Sequence, residues 1–292
     1  MIRQACLKSR PALLAVLVCF GLATRLAPLG AAETALQSDG SLISPASWFN
    51  ASPTGWIDTA IGFQIRIGAW LPQTRSDAKT GNPGDSRVIF SSLDVKPKDA
   101  IPEFDFNIDI LKTNRLRVGY WSSSQEGTTT LGNALQFNGQ TFPSNTNVKS
   151  TVDLSVLTAG YEFMLLDGET FRLGLGIGAD FIQSTEKIEQ QGGPLSAKRS
   201  DSWTIPFVSA EAGVYFGGFG VFGSANVMEY GQAYMVDGRV GVSYGYDFPP
   251  GVSLFTIGGG VDWRVWDVHV DYSKVNAEWT QQGLEVFGFF RF

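Results

Sequence analysis

The sequence contains few of the residues on which disulfide-bonded domains and thiol or metal enzymes depend. It has two cysteines and one histidine in 292 residues. Cys6 and Cys19 both precede residue 33, so the rest of the chain can form no disulfide and offers no thiol nucleophile or thiolate metal ligand. No cofactor or metal site is predicted.

Positive charge is also scarce. The chain carries 22 lysines and arginines against 28 aspartates and glutamates. Four of the basic residues and none of the acidic ones lie in the first 32 residues, which leaves a net charge of −10 for residues 33–292. A protein this acidic lacks the phosphate-seeking surface of a nucleic-acid binder, so no nucleic-acid partner is expected.

Long apolar runs are absent beyond the first thirty residues. A basic start, the apolar run Leu13–Leu22 and small residues up to Ala32 predict a cleavable secretory signal peptide over residues 1–32. An N-terminal membrane anchor is the alternative, but a spanning helix needs about 20 apolar residues. A lipid attached to Cys19 is a further alternative, although Val18 precedes it where a small residue is expected.

The chain does contain a sustained period of two. In the segment Trp56–Leu71 the odd positions are mostly apolar, whereas charges and glycines occur at even positions. Strands of soluble proteins usually have about 5–6 residues, and tilted membrane strands have about 9–11. This segment therefore predicts a membrane-spanning strand.

The next two segments predict a hairpin. Glu103–Leu111 and Arg115–Trp121 each alternate between an apolar and a charged face, and residues 112–114 separate them. A three-residue turn there would pair Asp109 with Arg117, so that the apolar faces coincide and the charged faces coincide, as a hairpin register requires.

Alternation recurs to the end of the chain and predicts about ten antiparallel strands, within a range of 8–12. The further segments are Val152–Phe163, Phe171–Gln183, Trp203–Phe216, Phe219–Glu229, Tyr234–Tyr246, Val252–Val265 and Leu284–Phe292. The first of these changes parity near Leu157, which indicates a β-bulge. Long connections near 72–101, 126–150 and 186–201 alternate with short ones, except for a short one at 230–232. A soluble secreted β-sandwich is the competing architecture.

The last segment carries a resemblance to a known class of proteins. Leu284, Val286, Phe290 and Phe292 share one face, and the chain ends on a phenylalanine. With the signal peptide and the alternating strands, the chain resembles the small Gram-negative outer-membrane β-barrel proteins, the broad porin-like superfamily.

This resemblance implies an all-β fold, an antiparallel transmembrane β-barrel with both termini in the periplasm. The signal peptide (1–32) would be followed by a periplasmic segment (33–54) and the barrel (55–292). The chain would reside in the cell outer membrane among outer-membrane lipid and lipopolysaccharide. Periplasmic chaperones and the barrel-assembly machinery would be partners, the latter through Leu284, Val286, Phe290 and Phe292.

The inward faces of the strands carry the strongest polar constellation. It comprises Arg66, Glu103, Asp105, Asp109, Arg115, Arg117, Arg172 and Asp180. Such a lumen either selects ions or is filled by ion pairs. Because barrels of about eight strands are filled by side chains and buried charges must be paired, we favour the packed interior. An acidic excess would make any narrow path prefer cations.

The single histidine offers a catalytic hypothesis. His269 lies between Asp267 and Asp271, and a carboxylate two residues away on one strand face could orient the imidazole as a general base. Omptin-like proteases carry such an Asp-x-His pair, but their second acidic pair has no match here. The preferred function is therefore structural or surface-interacting, with a long-looped barrel and an unspecified extracellular ligand. A small cation-preferring pore is the alternative, and a hydrolase using His269 is the second alternative.

Overall fold

The computed structural model describes residues 61–292 apart from 75–78, 81–87, 98, 112, 169, 232, 249–254 and 273–274. The predicted signal peptide, the segment 33–54 and the start of the predicted first strand at Trp56 fall outside the described residues. So does the predicted strand start at Val252.

Ten long strands form the fold, and each pairs antiparallel with its neighbours in the chain. Their bounds are β1 Ile61–Thr74, β2 Ile101–Ile110, β3 Asn114–Thr130, β4 Asn147–Asp167, β5 Phe171–Gln190, β6 Ser196–Phe216, β7 Phe219–Tyr230, β8 Ala233–Phe248, β9 Phe255–Tyr272 and β10 Val275–Arg291. Short strands occur outside this set at Lys79–Thr80, Val88–Ile89, Lys96–Pro97, Leu135–Phe137 and Gln140–Phe142.

The sheet closes on itself between the first and last long strands. Ile67 of β1 pairs with Gly288 of β10. Two backbone hydrogen bonds join β1 to the last residue after β10. Phe63 N donates to Phe292 O at 2.7 Å, and Phe292 N donates to Phe63 O at 3.0 Å. The predicted closed antiparallel barrel of about ten strands is thus confirmed. We call the end that carries Ile61 and Phe292 the termini end, and the opposite end the loop end.

The first complete hairpin differs from the prediction by two residues. Asp109 pairs with Arg115, not with Arg117, and Ile110 pairs with Asn114. The turn begins one residue earlier because Leu111 takes a left-handed backbone conformation, with φ at 55°. An even shift leaves every side chain on its predicted face, so the charged faces still coincide.

A lipid-facing band surrounds the termini-end half of the barrel. On β1 the outward residues from Ile61 to Leu71 are apolar, and Ile67 is 63% exposed. On β5 the band extends from Phe171 to Phe181. Ten residue steps span about 34 Å along a strand, which a tilt of about 40° reduces to about 26 Å, close to the ~25 Å apolar band of outer-membrane barrels.

Beyond this band the two faces of the wall exchange their polarity. On β4, Leu157 points outward, whereas Leu154 and Val156 point inward and are buried. The pairing of β4 with β3 runs without interruption through this region, and its only register shift with β5 lies at Leu173 and Gly174. The predicted bulge near Leu157 is therefore wrong. Parity changes there because the apolar face turns from lipid to a buried core.

The same exchange of polarity explains why one predicted loop is a pair of strands. The predicted long connection at 186–201 is mostly strand, since β5 extends to Gln190 and β6 begins at Ser196. Their outward residues are polar at this height, whereas Ile182, Ile188 and Ile205 face inward and are buried. The wall thus rises about 20 Å past the apolar band on this side.

The two remaining long loops contribute to the buried core. Phe90 and Phe137, one from each loop, meet edge to face with ring centroids 6.5 Å apart, and both are almost completely buried. Lys96–Pro97 adds a short edge pairing to β3. No helix within the described part of the chain is long and apolar enough to span a bilayer.

Candidate functional site: the sealed lumen

The lumen of the band region is filled by charged side chains. The structure places all eight predicted lumen residues on inward faces, namely Arg66, Glu103, Asp105, Asp109, Arg115, Arg117, Arg172 and Asp180. Seven of them take part in ion pairs. Inward polar positions on adjacent strands thus converge because the barrel closes.

Arg264 organises the part of this network nearest the loop end. Its guanidinium donates two hydrogen bonds to Asp237, from Nε and Nη2 at 2.9 Å each, and a third to Glu103. Arg239 donates to the other oxygen of Glu103. All four side chains are at most 5% exposed, so each charge is desolvated and depends on its partners.

Arg66 joins three further carboxylates. Its Nη2 lies 2.5 Å from Asp262 and 2.8 Å from Glu285, and its Nη1 lies 3.3 Å from Asp105. Glycine at position 68 leaves space for this cluster, because a Cβ there would lie 2.2 Å from a Glu285 carboxylate oxygen.

A second cluster lies nearer the termini end. Arg115 donates from Nε to Asp109 at 2.6 Å and from Nη1 to Glu211 at 2.7 Å. Arg172 donates to Asp167 at 3.1 Å. The predicted closeness of charges on β2 and β3 is thus realised, with additional partners from β4, β5 and β6.

Asp180 has a different environment from the other predicted lumen residues. Its carboxylate accepts a hydrogen bond from the Thr158 hydroxyl at 2.7 Å and is 1% exposed. None of its described contacts is an ion pair, so Asp180 belongs to the lumen lining but not to the ion-pair network.

A layer of tryptophans lies directly above the ion pairs. Trp121 meets Trp70 and Trp266 edge to face, with ring centroids 5.8 Å and 5.0 Å apart. The Arg264 guanidinium lies 4.8 Å from the Trp70 ring centroid and 5.5 Å from that of Trp121, within cation–π range. These rings are at most 2% exposed and separate the charged lumen from the apolar core at the loop end.

The loop-end core continues this seal. Trp203 of β6 packs against Trp279 of β10 across the barrel, with ring centroids 5.1 Å apart. Above them lie buried aliphatic residues from the wall and aromatic residues from the two long loops. Buried side chains, most of them apolar but including Gln125, Glu186 and Gln281, therefore occupy the part of the lumen through which an ion would have to pass.

His269 lies on the outside of this sealed barrel. On β9 it shares a face with the lipid-facing Trp263, beyond the apolar band. Its ring stacks on Tyr234 at 5.4 Å, and Asp267 accepts hydrogen bonds from Tyr234 at 3.4 Å and Thr280 at 2.9 Å. No described hydrogen bond joins His269 to Asp267. Asp271 pairs through its backbone with Asn276. The described hydrogen bonds of Asp267 thus go to Tyr234 and Thr280.

The four predicted assembly-signal residues lie on the outer face of β10 or at its end. Leu284 is 42% exposed, Val286 47% and Phe292 55%, and the Phe290 ring contacts Phe292 with centroids 5.5 Å apart. This face adjoins the lipid-facing surface of β1. Recognition of these residues by assembly factors stays a prediction.

Sequence reasoning missed about half of the lumen network and the whole tryptophan layer. The missed charged residues are Glu162, Asp167, Glu211, Asp237, Arg239, Asp262, Arg264, Glu285 and Arg291. The alternation could have indicated some of them: Asp262 and Arg264 flank the outward Trp263, so both must point inward. Trp70 and Trp121 likewise lie on charged faces of their strands, which marks them as interior residues. Within the described residues, no group of three or more potential ligands is arranged to hold a metal ion.

Comparisons with known proteins give distant structural matches. No protein-family model and no curated protein matches the sequence. Among solved structures, the outer membrane protease OmpT from Escherichia coli aligns with a TM-score of 0.48 and 11% identity, over 80% of this chain and 96% of that one. The attachment protein Ail of Yersinia pestis gives 0.28 and 10%, over 80% and 99%.

The transport unit of the autotransporter AIDA-I from Escherichia coli gives a TM-score of 0.34 and 9% identity, over 84% of this chain and 94% of that one. These neighbours differ in function and are distant in sequence, so none of them indicates an activity. The fold is decided by the molecule itself: ten antiparallel strands, closed edge to edge and girdled by an outward apolar band, make this chain an outer-membrane-type β-barrel.

Proposed function

We propose that the chain is a non-conducting outer-membrane barrel whose function resides in the part that rises beyond the membrane, in a structural or surface-interaction role. The observation that carries this proposal is the sealed lumen. Ion pairs, the tryptophan layer around Trp121 and the apolar loop-end core follow one another along the axis. A layer of packed apolar rings is a barrier to the passage of ions.

The wall beyond the band supports the second half of the proposal. Outward residues on β4 and β5 are polar at that height, for example Asp153 and Lys187, whereas inward residues such as Leu154 are buried. This is the pattern of a water-exposed barrel with its own core. A membrane anchor alone would need only the strands of the apolar band.

The lengths of the connections between strands support an orientation of the barrel in the membrane. Those at the termini end are short, such as 111–113 and 217–218, whereas two long ones lie at the loop end. Because outer-membrane barrels have short periplasmic turns and longer extracellular loops, the termini end would face the periplasm. Lipopolysaccharide would surround the outer half of the band. The periplasmic assembly machinery would bind the strand that ends at Phe292.

Conductance in planar bilayers tests this proposal. We expect no stable stepwise currents from the purified barrel, and a defined single-channel conductance would replace the proposal with the small-pore alternative. Replacing Trp121 with Ala removes the central ring of the tryptophan layer. The variant is the positive control for opening the lumen, and Tyr246→Ala on the lipid-facing surface is its matched control.

Two further assays complete the test. Protease digestion of intact cells should cleave the loop end and spare the termini end, and the reverse pattern would contradict the orientation. A hydrolytic activity on peptides or lipid A that is lost on His269→Ala would replace the proposal with the hydrolase alternative. We expect no such activity, because the His269 ring stacks on Tyr234 and the described hydrogen bonds of Asp267 go to Tyr234 and Thr280.

A further inference from the structure

The lumen is not filled completely around the ion pairs. A cavity of about 140 Å³ lies among them, between the inward faces of β1–β8 and β10. One buried water needs about 10–15 Å³ measured in the same way. The cavity therefore has room for a small solute together with several waters.

The lining of this cavity is rich in positive charge. Six arginines line it: Arg66, Arg115, Arg117, Arg172, Arg239 and Arg291. Only three carboxylates do so, those of Asp105, Glu162 and Glu211. The lining therefore has the opposite charge balance from the chain as a whole, whose acidic excess predicted a preference for cations.

Most partners of these arginines are carboxylates outside the lining. Asp109, Asp167, Glu103, Asp262 and Glu285 each lie within 4 Å of a lining arginine without lining the cavity themselves. More guanidinium groups than carboxylates therefore line the open space, although carboxylates outside the lining pair with most of these arginines.

Arg115 supplies a second and independent observation. It is 3% exposed and lines the cavity. Its Nε and Nη1 donate to Asp109 and Glu211, but its buried Nη2 has no acceptor among the described residues. The buried Nε of Arg66 likewise has no acceptor among the described residues. Buried guanidinium donors are normally satisfied, and a planar fork of donors matches the oxygens of a carboxylate or phosphate.

We propose that this cavity binds a small oxyanion, a solute bearing a carboxylate or phosphate group. Ser224 and Ser243 add hydroxyls to the lining, and Phe287 adds an apolar wall against which the Arg66 guanidinium stacks at 4.1 Å. The tryptophan layer closes the route from the loop end, so the anion enters from the termini end. This inference does not depend on a surface role for the loop end, and a barrel closed to conduction can hold such a ligand.

The test measures thermal unfolding of the folded barrel in detergent at constant ionic strength. Sodium phosphate and sodium benzoate are the two probes, and sodium chloride is the reference salt. Unfolding is followed by the change in gel mobility between folded and heat-unfolded protein. We expect the unfolding midpoint to rise saturably with at least one probe, because a ligand that binds only the folded state stabilises it.

Filling the cavity should remove the effect. Ser243→Leu and Ser224→Leu each place a larger side chain in the lining, and we expect at least a tenfold weaker apparent affinity for the probe. Ser202→Leu is the matched control, since Ser202 is exposed on the outer face of β6 and should leave the affinity unchanged.

Each outcome decides the proposal. A saturable rise with phosphate, benzoate or both that is lost on filling supports it and shows which oxyanion fits. The absence of a saturable rise with either probe in the unsubstituted protein overturns it, whatever the variants do. A rise that persists undiminished in both filling variants also overturns it, because the anion then acts elsewhere.

Discussion

Replacing Arg264 with Met tests whether paired charges hold the interior together. Arg264 is 1% exposed, forms both described hydrogen bonds to the Asp237 carboxylate and shares Glu103 with Arg239. Methionine keeps much of the apolar volume but removes the charge. Glu103 retains Arg239, whereas Asp237 loses its only described ion-pair partner.

The expected cost follows from that difference. Removing one partner of a buried ion pair costs about 3–5 kcal/mol, mostly because the remaining charge is left desolvated and uncompensated. The lost cation–π contacts with Trp70 and Trp121 add about 0.5–2 kcal/mol. We therefore expect Arg264→Met to lower the free energy of unfolding by about 5 kcal/mol.

Urea unfolding in lipid vesicles measures this loss through the transition midpoint and slope. Adding Asp237→Asn to Arg264→Met should recover at least half of it, because the buried charge is then gone. Lys96→Met is the surface control. Lys96 and Asp94 lie 2.7 Å apart but are more than half exposed, so their pair should contribute at most about 1 kcal/mol.

Two results would refute this reasoning. If Arg264→Met costs no more than Lys96→Met, the buried ion pairs do not stabilise the barrel. If the double variant is as unstable as the single one, the loss comes from packing against the tryptophans and not from the unpaired Asp237.

Three further predictions concern the wall. Leu111→Gly should stabilise the barrel by about 0.5–1 kcal/mol in the same urea assay, since glycine accepts the positive φ without a Cβ clash; a loss would contradict this. Gly178→Ala should destabilise it by about 1–3 kcal/mol, because the new Cβ would lie 2.5 Å from a carbonyl oxygen and a phenylalanine ring, whereas Gly132→Ala, with nothing within 4 Å, should not. A polarity-sensitive dye attached to Ser155→Cys should report a watery environment, and the same dye on Leu157→Cys should report lipid. Equal spectra would show that the edge of the apolar band does not lie between these two residues.

Several features of the fold could be predicted from the sequence because they depend on local alternation. Side chains on a strand point alternately to opposite faces, so the pattern on β1 and β5 gave both the strands and their lipid-facing residues. The count of ten strands followed from the number of alternating segments. The inward position of all eight predicted lumen residues followed from the same parity.

Other features escaped prediction because they depend on what the two faces contact. Near Leu157 the sequence shows only that the apolar face changes sides. A bulge and an unbroken strand leaving the bilayer produce the same pattern. For the same reason the sequence predicts a loop where the β5–β6 hairpin extends beyond the band. Its outward residues are polar there, whereas inward residues such as Ile188 are apolar.

The closed barrel decided the rest, because it brings together residues far apart in the chain. Arg264 meets Glu103 from 161 positions away, and Trp121 meets Trp266 across the lumen. Alternation along one strand carries no information about such partners. The sequence by itself therefore determined the barrel and the inward position of the eight predicted lumen residues. Only the tertiary structure decided that tryptophans close the lumen and that, although the chain is acidic, its cavity is lined by six arginines and only three carboxylates.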